Sequence, residues 1–84
     1  MTNRELCNKW AMGQVFNGSA SNKTLIVEDG KIYSYGKHFL AAQFLDNGTA
    51  QVNSRKYSST TSKHCSYIRS ALASAGVTFE VVAL

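Results

Sequence analysis

The chain has 84 residues, of which 44% are hydrophobic and 17% charged. That supports one domain with a modest core and excludes an intrinsically disordered chain. The formal net charge of +4 favours an acidic partner, whether nucleic acid or an acidic protein face. No apolar run reaches the ~20 residues that a membrane span needs, and the polar, amphipathic N-terminal stretch does not read as a signal peptide. With Cys7 and Cys65 as its two cysteines, the chain does not read as a disulfide-stapled secreted scaffold. The simplest reading is a cytoplasmic protein with reduced thiols. Sequence does not give the separation of the two cysteines, so a Cys7–Cys65 bridge stays open.

Thr2-Asn3-Arg4-Glu5 has capping-box spacing, with Thr2 as N-cap and Glu5 reaching back to its amide. Leu6, Cys7, Trp10 and Ala11 recur at helical spacing, which predicts a short helix over residues 3–12 that ends at Gly13. The small polar residues 17–22 predict a loop. Residues 24–28 and 31–35 are β-rich and flank Asp29-Gly30, a strong hairpin signal because both turn positions need positive φ. The implied register sets Glu28 against Lys31 and Val27 against Ile32. Residues 38–45 predict a third strand, residues 49–53 a fourth after the turn at 46–48, and residues 77–82 a closing strand. Between them, residues 60–75 predict a second helix closed by Gly76, with Cys65, Ile68, Ala71, Leu72 and Ala75 on one face. The expected architecture is α+β in the order α-β-β-β-β-α-β. It is an antiparallel sheet of four to five strands backed by two short helices, one domain over residues 1–84.

Tyr57-Ser58-Ser59-Thr60-Thr61-Ser62-Lys63-His64 carries the strongest local signal: five consecutive hydroxyl residues run into the second helix. One hydroxyl suffices to cap a helix, and capping is the commonest use of such a residue. The surplus, together with neighbouring cations, points to an anion: a phosphate or an acidic partner held by Arg55, Lys56, Ser59, Thr60, Lys63 and Arg69. Tyr33 and Tyr35 share one face of the hairpin with Ile26 and Glu28. They are either an aromatic binding surface, for nucleic-acid bases or a protein partner, or part of the packing.

Other chemistry has little support. His38 and His64 lack the companions of a zinc set, and neither C-x-x-C nor H-x-x-x-H is present. One histidine is expected to hydrogen-bond tyrosine or backbone and fix a sheet–helix contact. Cys65 turns about 100° from His64 on a helix, so it reads as a packed thiol rather than a nucleophile. Of five carboxylates, Glu5 caps a helix and Asp29 and Asp46 sit in turns, which leaves no obvious acid–base pair. No catalytic residue, metal or cofactor is expected.

Two stretches in order, Ser34-Tyr35-Gly36-Lys37-His38-Phe39 and then Tyr57 through His64, resemble a small domain of unknown function found in phage-encoded and archaeal proteins. Its pattern is a Ser-Tyr-Gly-x-His strand end followed by a Tyr-Ser-x-Thr-Thr-Ser-Lys-His helix start. The resemblance spans roughly residues 24–72, with Leu40 standing where that pattern has proline. It implies a compact α+β module of viral type. Short phage proteins of this sort often bind and redirect a host component, for instance as inhibitors of a defence system.

The sequence therefore reads as a small non-enzymatic binding module, a phage-type accessory protein docking on a host protein or nucleoprotein. The alternative is direct nucleic-acid binding through the same basic, hydroxyl- and tyrosine-rich surface. The apolar closing strand also offers an edge through which a homodimer could form.

Overall fold

The computed structural model describes residues 2–21, 24–34, 39–55 and 59–84, with the side chains of residues 59–61 outside the description. Helix α1 covers Asn3–Ala11 and begins in a capping box. Thr2 Oγ1 accepts from the Glu5 amide at 3.1 Å, and a Glu5 carboxylate oxygen accepts from the Thr2 amide at 3.3 Å. Two otherwise orphaned donors are thus satisfied reciprocally, and the Thr2 contacts hold the Glu5 carboxyl below its usual range. Gln14 N–H donates to Lys9 O and Gly13 N–H to Trp10 O, closing the last turn of α1. Helix α2, Ser59–Ser74, closes the same way: Val77 N–H donates to Leu72 O and Gly76 N–H to Ala73 O.

Among the described residues, six strands form one sheet in chain order: β1 (Gly18–Ser19), β2 (Leu25–Glu28), β3 (Lys31–Ser34), β4 (Phe39–Phe44), β5 (Ala50–Asn53) and β6 (Phe79–Val82). The β2–β3 hairpin has the expected register, Glu28 opposite Lys31 and Val27 opposite Ile32. Asp29 and Gly30 both take positive φ, 52° and 75°, the backbone that a two-residue hairpin turn requires.

Two features correct the sequence-based picture. Residues 18 and 19, expected in a loop, pair with Ile26 and Val27 and add a strand at the sheet edge. The closing strand runs parallel to β5, so the sheet is mixed and six-stranded rather than antiparallel with four to five strands. The physical reason lies in the connection. A hairpin reverses the chain, whereas α2 carries it back along the sheet before β6 begins, which is the geometry of a parallel crossover.

Both helices contribute to one core with one face of this sheet. Leu25, Val27, Ile32 and Val52 alternate inward against Leu6, Trp10, Ile68 and Leu72, all at most 1% exposed. Strand β4 carries phenylalanines at both ends, Phe39 and Phe44, five positions apart. A regular strand would send them to opposite faces. The register slips there: Ile32 pairs with Ala42, but Tyr33 pairs with Leu40, which leaves Ala41 as an extra residue. This bulge restores Phe39 to the core side, where Phe44 already packs on Trp10 with ring centroids 4.7 Å apart. The Trp10 indole N–H donates to Gly30 O at 2.8 Å and so ties α1 to the hairpin turn.

Candidate functional site

The basic residues singled out in the sequence converge, in part, where β5 hands the chain to α2. Asn53, the last residue of β5, is buried and makes three bonds. Its Nδ2 donates to Leu40 O at 2.8 Å, and its Oδ1 accepts from the Arg55 amide at 2.9 Å and the Leu84 amide at 3.4 Å. One side chain thereby sets the direction in which the backbone leaves the sheet and anchors the chain beyond β6. The result is a cleft of about 300 Å³ lined by Arg55 from the strand end, Ser62, Cys65 and Arg69 from α2, and Val81 from β6. Ser62, Cys65 and Arg69 lie three and four residues apart, so they form one stripe along the helix.

Chemically, the cleft offers two arginines and two serines, Ser54 and Ser62, around a poorly reactive thiol. Burial pushes the Cys65 thiol up, while the Arg69 charge partly opposes this. Burial, with Cys65 as neighbour, pushes Cys7 up to about 12. Neither cysteine has the depressed pKa of a nucleophile, and both are free thiols.

Lys63 lies on the exposed side of α2, with Ser66, Ser70 and Ser74. No acidic residue occurs in α2, and across from it α1 exposes Arg4 and Lys9. The Arg4 guanidinium sits over the Tyr67 ring, 5.3 Å from its centroid, and both line a groove of about 370 Å³ between the helices with Asn8, Ser70 and Ser74. Of the described cations, Arg4, Lys9, Lys63 and Arg69 lie on the helices and Arg55 at their rim, with Lys31 alone on a strand. Of the carboxylates, Glu5 is on a helix, and Glu28, Asp29, Asp46 and Glu80 lie on strands or in turns. Among the described residues, five of the six lysines and arginines thus lie on or beside the helices, and four of the five carboxylates on strands or in turns.

Tyr33 belongs to the other side. It alternates with the fully buried Ile32 and Ser34 and pairs with Ile26 and Leu40, all three half-buried on the sheet face away from the helices. Beside this apolar row runs a polar one, in which Gln43 Nε2 donates to Gln51 Oε1 at 3.0 Å and Gln51 Nε2 to Glu80 Oε1 at 3.1 Å. The structure therefore brings Arg55 and Arg69 together, leaves Lys63 on the adjoining helix surface and separates Tyr33 from all three. Ser59 and Thr60 lie in the first turn of α2, with their side chains outside the description. Lys56, Tyr35 and His38 fall outside the described residues, as does most of the first motif behind the family resemblance.

His64 holds the layers together. Its Nδ1 lies 2.7 Å from Ser34 Oγ on β3, and its Nε2 lies 3.3 Å from Asn3 Nδ2 on α1. Each ring nitrogen thus has a side-chain partner, one on the sheet and one on α1. At 3% and 0% exposure, His64 and Ser34 are sealed in the interior, and burial lowers the histidine pKa. His64 has the expected sheet–helix role, and among the described residues its partners are serine and asparagine side chains rather than tyrosine or backbone. Asn53, Arg4 and Tyr67 were missed from the sequence. Only the helical positions of Arg4 and Tyr67 offered a signal, and their meeting depends on how α1 crosses α2. No protein-family model, curated protein or solved structure matches the chain.

Proposed function

We propose that this protein is a non-enzymatic binding module that docks on an acidic partner protein through its helix side. The observation that carries this reading is the segregation of charge. Arg55, Lys63 and Arg69, joined by Arg4 and Lys9, share the side of the molecule built by α1 and α2, where Glu5 is the one described carboxylate. Such a field steers an acidic partner and fixes its orientation. The motif resemblance supports the narrower reading of a phage-type accessory protein acting on a host protein or nucleoprotein, for instance a defence component.

A second reading, direct binding of a nucleic-acid backbone, is favoured by the serines interleaved with Lys63 and Arg69, since hydroxyls and cations together make typical phosphate contacts. The position of Tyr33 argues against a combined stacking and phosphate surface, because it lies across the sheet from those cations. The test is binding of an acidic peptide, single-stranded DNA and duplex DNA at low and high salt. It is run on the wild type and on the Lys63→Glu/Arg69→Glu variant. Preference for the peptide, lost on charge reversal, supports protein docking. Tight DNA binding that falls steeply with salt, with a log–log slope of about 0.9 per neutralised phosphate, supports the second reading. Absence of binding in every arm refutes both.

A further inference from the structure

We propose that the outer edge of β6 receives an extended acidic peptide segment as a seventh strand. This inference rests on the reading of the helix side as a surface for an acidic partner and adds the means of recognition. Among the described residues, strand β6 ends the sheet. Toward β5, Ala50 N–H takes Thr78 O and Ser54 N–H takes Val82 O. In a parallel ladder the bonding residues alternate, so Thr78, Glu80 and Val82 serve β5. The N–H and C=O groups of Phe79, Val81 and Ala83 consequently point outward. The opposite edge, β1, is two residues long. β6 is four residues long and contains no proline, no lysine and no bulge, and Val81 is 49% exposed.

Charge complementarity decides what chemistry suits this edge. Side chains of an added strand alternate between the two faces. Those beside Val81 project toward the cleft that Val81 shares with Arg55 and Arg69, which no carboxylate lines. An acidic side chain at that position gains two guanidinium partners, while its neighbours lie beside Glu80 on the other face and favour neutral residues. A second copy of β6 suits the edge poorly. Its one charged residue, Glu80, stays on the sheet's other face in any antiparallel pairing, near its own counterpart, and leaves both arginines unanswered.

The probe is an end-blocked peptide alternating glutamate with threonine, compared with its lysine-for-glutamate counterpart. The readouts are affinity and amide hydrogen exchange. The expected result is binding of the glutamate peptide alone, weakened at least about tenfold by Arg69→Glu and by Val81→Pro. Proline is tolerated where an edge N–H faces outward, and it removes the bond the added strand would take. Slowed exchange at the amides of Val81 and Ala83 in the wild-type complex gives the same answer without a variant. Charge-dependent binding that leaves those amides unprotected and ignores Val81→Pro overturns the edge inference but keeps the acid-binding reading. Failure of the glutamate peptide to bind at low salt overturns both. Protection of Val81 that grows with protein concentration without peptide assigns the edge to a second copy and overturns the inference.

Discussion

Lowering the pH through the histidine range should cost the wild-type protein more stability than the His64→Gln variant. His64 is 3% exposed, wedged between Ser34 and Asn3, and its pKa lies below the ordinary 6.5 because burial disfavours the charged ring. In the unfolded chain the ring takes up a proton near its ordinary pKa, whereas in the folded protein it stays neutral to lower pH. Below pH 6.5 the unfolded state therefore binds more protons. The His64 contribution is fully present above that pH and is lost as pH falls toward the folded-state pKa. For one such group the loss has a limiting slope of about 1.4 kcal/mol per pH unit. In a domain of this size that corresponds to a fall in Tm of roughly 5–10 °C per unit. Urea unfolding followed through Trp10, the one tryptophan and a buried one, measures it at several pH values. His64→Gln should start less stable and show the shallower profile, and taking the difference between the two proteins cancels His38 and the carboxylates. Parallel loss of stability in both proteins would refute the claim that His64 is buried neutral.

Three further outcomes follow from the packing and turns. Leu72→Ala, at a fully buried position on α2, should cost about 2–5 kcal/mol through lost burial and a cavity, read from the urea midpoint. Asn53→Ala removes a donor to Leu40 O and the acceptor for the Arg55 and Leu84 amides. It should cost about 2–3 kcal/mol and speed hydrogen exchange at Leu84. Gly30→Ala forces a side chain into φ +75°, with its Cβ 3.4 Å from the Phe16 ring. It should lower stability by about 1–2 kcal/mol in the same unfolding assay, and an unchanged midpoint would contradict the turn assignment.

What could be read from the sequence was local. The capping box, the Asp29-Gly30 turn and the buried stripe of α2 are each specified within a few residues, and each stands where the pattern puts it. Features that depend on distant parts of the chain did not show. A two-residue strand at 18–19 is too short for periodicity and exists because β2 is there to pair with it. The direction of β6 depends on the path of α2 across the sheet. The bulge at Ala41 shows only once both phenylalanines of β4 have to reach one core. The candidate site divides in the same way. Arg55 and Arg69 could be nominated from charge density near the hydroxyl run, and they do share a cleft. Their separation from Tyr33 could not be foreseen, because it depends on which face of the hairpin the helices cover.

Backbone amide shifts during titration with a short polyglutamate peptide at low salt test the central claim most directly. Shifts centred on Arg55, Ser62, Arg69 and Val81, with Ile26, Tyr33 and Leu40 unmoved, are the predicted result. Shifts centred on Tyr33 and its row, or none at all, would contradict the assignment of acidic-partner binding to the helix side.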